Sequence, residues 1–402
     1  MALTISNISA VLKKIIIPVI QNQLPKESVL FDKIKRNSGV TVANNTIYIA
    51  ARTGKHSGIY NVAEGNEPYA GKAKYQQPYE DIKFIFGTLE ITDQAIEAAA
   101  NGDVKAIASI LQTEITALKD DLKMDLNRQM HGAGRGKLCL TNGTGAASTA
   151  LIVDGNPNGG DGTEYLVEGM YLHLGSTGAA AVQISSVDSA TEVTLATAAN
   201  WANDAYVCKG TGTTLTGATG SAVEIMGLAG IIDDGDNVAT IHNITRSSYP
   251  WACAHVEDTA ATLTEAQMID LYLKTKRYGG SKVVFMGSSM FSKYGQLLTS
   301  MKKTADLKEV LSGGWKGLEF MDGVGVMLDF DTWNGYVQFV DFDALTIAEM
   351  TSPFQWLEAD AHGGILGRSS SNRTIWEGTL KYYMNLVGKK FKSMGRLSGK
   401  QP

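Results

Sequence analysis

Gly132-Ala-Gly-Arg-Gly-Lys137 has the glycine and lysine content of a loop that cradles phosphate. Such a loop needs a leading glycine, a strand before it, and a Ser or Thr after the lysine to bind magnesium. Here His131 takes the leading position, Leu138 follows the lysine, and a helical pattern comes before it. A helix stop and hinge is the reading that remains. Gly287-Ser288-Ser289-Met290-Phe291 lies between a strand-like and a helix-like run, as a nucleophilic serine elbow does, but it lacks the second glycine. Either serine serves there as a helix N-cap with no further chemistry. Asp329-Phe-Asp331, Asp341-Phe-Asp343 and Asp233-Asp234-Gly-Asp236 offer the carboxylates that hard cations want. Strand alternation would turn each Phe inward and both flanking carboxylates to water, and the third group reads as a turn. His56, His131, His173, His242, His255 and His362 are scattered, with no pair at i, i+4. Cys139, Cys208 and Cys253 have no short spacing, which fits neither a disulfide framework nor a zinc site and agrees with a reducing compartment. No catalytic, cofactor-binding or metal-binding set is expected, and the chain reads as a non-enzyme.

The element that orders the rest is a long helix over residues 103–131. Val104, Ile107, Leu111, Ile115, Leu118, Leu122 and Leu126 recur in steps of three and four, the helical period. Asp103 can cap the N-terminus, and Gly132 and Gly134 stop the C-terminus. At the usual rise such a rod is roughly 43 Å long. Lys105, Lys119, Asp120, Asp121, Lys123, Asp125 and Arg128 fill the other faces, so one stripe is expected to be buried and the rest wet or against another chain.

Ahead of it, Ile5, Ile8, Leu12, Ile15, Ile16, Val19 and Ile20 predict an amphipathic helix kinked at Pro18. Its apolar run is too short to span a bilayer, which takes ~20 residues, so no membrane partner is expected. Over residues 40–92 the period changes to two, predicting strands at 46–52 and 79–92. Between them, residues 53–78 are rich in Gly, Lys, Glu and Tyr with no apolar face of their own to bury. A connection this long is usually functional or docks elsewhere.

After the long helix, residues 138–222 are dense in Gly, Ala, Thr and Ser, with short alternating runs that predict an inserted antiparallel barrel or sandwich. Thr264-Glu-Ala-Gln267 predicts a capping box opening a helix that stops at Gly279-Gly280. A strand at 282–286, a helix at 289–301, strands at 324–330, 336–342 and 345–350, and a final extended run at 376–387 complete an α+β chain. The 402 residues carry a net charge of −5, which argues against a dedicated nucleic-acid binder with one large basic face.

The parts follow in the order arm, long two-stranded loop, spine helix with a glycine stop, helix-and-strand domain, final long strand. Ile17-Pro-Val-Ile-Gln-Asn-Gln-Leu24, Ala50-Ala-Arg-Thr-Gly-Lys-His-Ser-Gly58 with Ala63-Glu-Gly65, and Asp125-Leu-Asn-Arg128 before Gly132-Ala-Gly134 carry a local likeness. Met226-Gly-Leu-Ala-Gly-Ile-Ile232 and Trp356-Leu-Glu-Ala-Asp360 extend it. This order and wording resemble the major capsid protein of tailed bacteriophages, the Hong Kong 97-type fold, over most of the chain except residues 138–222.

The resemblance implies an N-terminal arm at 1–39, an extended loop at 40–92, and a peripheral domain with the spine helix at 93–137. It further implies a peripheral return at 223–263, a mainly axial domain at 264–350, and a peripheral strand and C-terminus at 351–402, with 138–222 as an inserted β-domain. The implied partners are other copies as pentamers and hexamers, a scaffolding protein, a portal, and packaged double-stranded DNA without sequence specificity. The implied place is the virion capsid, assembled in the host cytoplasm. Because the extended loop has little to bury within its own chain, Arg52, Lys55, Glu64, Glu67 and Lys72 are the expected subunit-interface residues. Two alternatives stay open: another β-rich virion component of tail or adhesion type, and a serine hydrolase using Ser288 or Ser289.

Overall fold

A computed structural model describes residues 29–100, 104–175, 181–210, 223–301, 319–357, 367–368 and 374–401. The expected amphipathic helix at the N-terminus and the Asp103 cap lie outside these residues. The chain divides into two compact units, one of them discontinuous through Lys83–Arg128 and Glu349–Met384, the other through Lys33–Ile82, Gln129–Ala348 and Asn385–Pro402.

The first unit is built on a long antiparallel pair, Lys83–Thr92 with Ile375–Gly388, in register from Thr92 opposite Ile375 to Lys83 opposite Met384. Alternation gives this ribbon two different faces. Ile91, Leu380 and Tyr382 are buried on one, while Phe84 and Phe86 stand exposed on the other. The spine helix, Val104–His131, packs on the buried face at Gly87, where an added β-carbon would lie 2.7 Å from Leu122 Cδ1 and 3.1 Å from Leu118 Cδ1. Glycine here is what allows the helix to approach the strand. Phe31 closes the end of this core against Phe354 and Tyr382, each at 6.2 Å between ring centroids.

The helical stripe does not divide into buried and wet faces as its periodicity predicts. Ile115, Leu118 and Leu122 are only half-buried, and the side chains of Val104, Ile107 and Leu111 lie outside the described residues. Full burial begins at Leu126 and then extends all round the last turns, through Asn127, Arg128, Gln129, Met130 and His131. The Arg128 guanidinium keeps its charge partnered there by Asp125, at 3.0 Å.

In the second unit a six-stranded mixed sheet runs in the order His255–Glu257, Gly395–Leu397, Val337–Val340, Val283–Met286, Val324–Leu328, Glu319–Phe320. Helices Glu265–Lys276 and Ser288–Met301 supply Met268, Leu271, Met290 and Tyr294 to a core with Val284, Met286, Val326, Phe339 and Leu397. Thr264 and Gln267 form the reciprocal capping box, each side chain bonded to the other's backbone N–H.

Residues 137–209 form a six-stranded antiparallel sheet with its own core of Leu138, Leu151, Leu172, Leu174, Ile184, Val193, Leu195 and Val207. Its two edge strands, Lys137–Leu140 and Gly145–Ile152, are joined by a bridge between Thr141 and Val153. With Asp154 N–H donating to Leu140 O at 2.8 Å and Asn142 N–H to Ile152 O at 2.9 Å, the sheet closes into a small barrel. Closure removes the open edges a short-stranded sheet would otherwise expose.

The two runs expected as single strands near the extended loop are each broken. Thr46–Ile49 stops before Ala51–Gly54, and Tyr79–Asp81 stops before Lys83–Thr92. At the first break Ile49 N–H bonds Pro78 O, and at the second Ile82 N–H bonds Asn45 O, so the backbone satisfies itself across the base of the loop.

Candidate interaction surface

Three groups of buried polar and charged side chains organise the described residues, two of them at aspartates the sequence patterns place in a turn or in water. Asp233 is fully buried and accepts from Arg246 Nη1 and Arg396 Nη2, each at 3.1 Å. It also accepts from the backbone N–H of Val238 at 2.9 Å, Gly235 at 3.1 Å and Asn237 at 3.2 Å. Burial alone would raise its pKa; the Val238 N–H, Arg396, Asn237 and Arg246 together hold it below the usual carboxylate range. Arg246 spends its remaining donors on the carbonyls of Gly230, Ile231, Val238 and Ala252. The cluster is a structural clamp on residues 228–252. Asp234, Asp236 and Asp258 bring carboxylate oxygens within 4.8 Å of one another beside it, with Arg396 at 3.8 Å from Asp258 as countercharge.

The second group corrects the expectation for Asp329-Phe-Asp331. Phe330 is exposed and Asp329 is buried. Strand Val324–Leu328 has ended, so alternation no longer governs: Asp329 turns back to accept from Asp331 N–H at 3.0 Å. Its other oxygen lies 3.0 Å from His131 Nε2 at the end of the spine helix, an ion pair without in-line hydrogen-bond geometry. Burial lowers the His131 pKa, but Asp329, Asp331 and Gln338 together outweigh it and the net shift is upward. Asp341 repeats the turn with Asp343 N–H at 3.1 Å and is likewise buried, not in water.

The third group holds the base of the extended loop. His242 sits in a two-residue turn at φ 47°, a left-handed conformation uncommon outside glycine but one that histidine adopts more readily than most residues. Its Nε2 accepts from Gly388 N–H at 3.1 Å, which leaves the proton on Nδ1 to donate to Glu80, 3.2 Å away on strand Tyr79–Asp81. Asn385 Nδ2 donates to Asp81 O at 2.8 Å, and Tyr79 N–H to His242 O at 3.2 Å. Strands Val40–Ala43, Thr46–Ile49 and Tyr79–Asp81 thus form a sheet with Ile47 and Ile49 buried beneath it.

From this base the loop rises as a narrow ribbon, Ala51–Gly54 against Lys74–Gln76. Ser57 and Lys72 continue the pairing, and Gly58 and Gly71 pass so close that a β-carbon on Gly58 would lie 2.8 Å from Gly71 N. Arg52 lies on the paired strand, Lys55 and Lys72 beyond it, and Glu64 and Glu67 flank the tip turn closed by Asn66 N–H to Ala63 O. All five are exposed, and none forms an ion pair with a described residue. The structure adds a feature the charges did not reveal. Ile59, Tyr69 and Tyr75 are 80%, 79% and 73% exposed, joined by Tyr60 and Val62. The tyrosine content of residues 53–78 was the available signal. Concentrated apolar surface on a projecting element marks an interaction surface.

The motif residues find ordinary roles. Ser288 opens helix Ser288–Met301 and both serines fall inside its first turn, so neither caps it from outside. Ser289 Oγ pairs with the Asn334 side chain and not with an imidazole. Gly134 and Gly136 adopt φ 70° after the spine helix, and Lys137 Nζ lies over the rings of Tyr206 and Trp333. Among the described residues no helix is long and apolar enough to cross a membrane.

No protein-family model matches the chain, and no curated protein matches it in sequence. In fold it is similar to solved capsids. Against a chain of the cyanophage A-1(L) capsid asymmetric unit the TM-score is 0.58 at 12% identity, covering 96% of each chain. Against a chain of the native GTA particle capsid the TM-score is 0.50 at 10% identity, covering 95% of this chain and 93% of the other. At such identities the likeness is one of fold alone, shared with these capsid chains.

Proposed function

We propose that this chain is the major capsid protein of a tailed phage, a Hong Kong 97-type subunit that assembles into an icosahedral shell around double-stranded DNA. The observation that carries the reading is the ribbon: a firmly seated base bearing exposed Ile59, Tyr69 and Tyr75 that nothing in its own unit covers. Large apolar side chains at a protein surface gain free energy by burial against a partner, and a repeated subunit supplies that partner in every copy. In this reading residues 53–78 lie across a neighbouring subunit, with Arg52, Lys55, Glu64, Glu67 and Lys72 at the contact. Residues 1–39 are the arm, 93–137 and 223–263 the peripheral domain with its spine, 264–350 mainly the axial domain around five- and six-fold centres, and 351–402 the returning strand. The barrel in 138–222 faces outward. Assembly takes place in the host cytoplasm with a scaffolding protein and a portal, without a cofactor and without catalysis.

Negative-stain microscopy of the protein expressed with its scaffolding protein tests this. Closed shells of uniform diameter are expected. Rings or trimers would point instead to a tail component, and a small oligomer that hydrolyses an ester through Ser288 or Ser289 would overturn the structural role.

A further inference from the structure

The loop that joins strand Gly145–Ile152 to strand Tyr171–Leu174 contains Asp154-Gly-Asn-Pro-Asn-Gly-Gly-Asp-Gly-Thr-Glu164. Oxygen-bearing side chains fall at every second position, Asp154, Asn156 and Asn158, and Gly159 follows at φ 85°. That is the order in which a calcium loop places its leading ligands, with glycine at the sharp turn after them. The match is partial. Glu164 stands one position short of the usual closing carboxylate, and Tyr165 takes that place. Amides supply two of the three leading groups, so neither histidine spacing nor clustered carboxylates reveal the loop.

The fold turns these groups inward. Asn156 is 5% exposed, and its Oδ1 is buried without a hydrogen-bond partner. The amide that carries it faces Glu164 across the loop, with Nδ2 3.1 Å from Oε2. A buried carbonyl oxygen with no donor costs free energy that a bound cation recovers. A β-carbon on Gly160 would lie 2.2 Å from Glu164 Oε2 and 3.2 Å from Asn158 Oδ1, so two further oxygens converge on the space a side chain would fill. Among the described residues Asp154, Asp161 and Glu164 form no ion pair, which leaves the negative charge of the loop unbalanced. The frame is held from both sides. Thr163 donates from its N–H to Ala190 O at 3.2 Å and from Oγ1 to Ser189 O at 2.8 Å. Asn158 Nδ2 donates to the Tyr165 hydroxyl at 2.8 Å, which donates in turn to Asp331 Oδ1 at 2.6 Å.

We propose that residues 154–164 bind calcium through Asp154, Asn156, Asn158 and Glu164, as a clasp at the seam where the barrel closes. All four side chains offer oxygen and the loop holds no histidine or cysteine, a donor set that suits a hard cation. Calcium accepts amides and carboxylates in irregular geometry, whereas magnesium demands a near-ideal octahedron and keeps its waters. With two of the four groups charged, an affinity on the order of 0.1–1 mM is expected, the weak end of the range for calcium loops. Asp154 N–H bonds Leu140 O across the seam, and Tyr165 bonds Asp331, so an ion here ties the seam to the Asp329–Asp331 turn. The inference does not depend on the capsid reading.

The test uses the full chain as soluble subunits, stripped with a chelator, titrated with calcium chloride in a calorimeter and followed by hydrogen exchange. Wild type should show saturable binding, and exchange at the seam amides of Asn142 and Asp154 should slow as calcium is added. Glu164→Gln should weaken binding by about tenfold or more, because ligand charge sets the affinity of such loops. Glu164 is exposed, so this variant should keep the wild-type circular dichroism spectrum. Asn156→Asp should act in the opposite direction: it tightens calcium binding, and it lowers the melting temperature in chelator by burying an unbalanced carboxylate. Asp236→Asn, in the carboxylate group beside Arg396, should leave the titration unchanged. No binding by wild type at about ten times the expected dissociation constant overturns the site. Binding that Glu164→Gln leaves intact, or that Asp236→Asn abolishes, overturns it as well. An equal response to magnesium overturns calcium as the ion, and slowed exchange confined to amides outside residues 140–165 overturns the clasp.

Discussion

At the scale of single residues the folded chain depends on charges whose partners lie far away in sequence. Asp233 joins Arg246 and Arg396 in a site with no solvent access, so Asp233→Asn leaves two buried guanidiniums without their anion. Removing one partner of such a group costs about 3–5 kcal/mol. We expect the variant to unfold at markedly lower denaturant concentration or to be insoluble. The sign of its pH dependence follows from the depressed carboxylate. Its contribution is present above the unfolded value of about 3.9 and is lost as pH falls through the folded pKa, so wild type and variant should converge only in strong acid. His131 runs the other way. Its pKa is raised in the fold, so the pair with Asp329 stabilises fully below about 6.5 and fades as pH rises through the folded value. Unfolding of wild type and His131→Gln, compared between acid and alkaline conditions, should show a difference that shrinks above neutrality. A difference that grows there would contradict the assignment. None of these pairs was legible in the sequence. Asp233 looked like a turn residue and His131 a glycine-loop neighbour because burial of a charge is decided by distant segments, not by local spacing.

Among the elements, the ones with strong periodicity and end signals were legible and those whose edges depend on tertiary pairing were less so. The Thr264–Gln267 capping box and the spine helix follow from residue type alone. The breaks at Ala50 and Ile82 did not, since the hydrogen bonds that make them cross the base of the ribbon. Alternation also failed at Asp329 and Asp341 because it holds only while the strand continues. For the spine helix the difference between periodicity and burial becomes a measurable order. Leu126→Asp places a carboxylate in a fully buried site without a partner, a cost of several kcal/mol in a protein with about 5–15 to lose. Leu118 is half-buried against Gly87, and Leu118→Asp should cost about 1–3 kcal/mol. Lys119→Asp should cost about 0–1 kcal/mol. Thermal unfolding of the three variants should give destabilisation in that order. Equal tolerance of the Leu126 and Lys119 changes would mean the helix end is not the core it is described as.

For the molecule as a whole, the informative contrast is between what the subunit satisfies internally and what it leaves for a partner. The sheet core, the barrel and the Asp233 clamp are closed systems of apolar packing and paired charge. The ribbon is not: beyond its hydrogen-bonded base it offers exposed aromatic and charged side chains and few contacts of its own. A two-stranded ribbon without a packed face is marginal in water, and in the proposed shell a neighbouring copy supplies the surface it lacks. Replacing residues 53–78 by a short Gly-Ser linker should therefore separate folding from assembly. The base strands, with His242 on Glu80 and Asn385 on Asp81, remain in this deletion, and of the base contacts only the Ile49 N–H bond to Pro78 O is lost. Subunit solubility and the subunit melting temperature should stay close to wild type, because the removed segment contributes little buried area. Shell yield should fall sharply, and any shells that form should dissociate at lower temperature than wild-type shells in a microscopy-monitored heat series. Tyr69→Ser with Tyr75→Ser in the full-length ribbon should reproduce part of the defect if burial of those rings supplies the contact energy. Normal shells of normal heat resistance from the deletion would make the ribbon dispensable. They would move the interface to another face of the subunit, with the exposed Phe84 and Phe86 the first place to look.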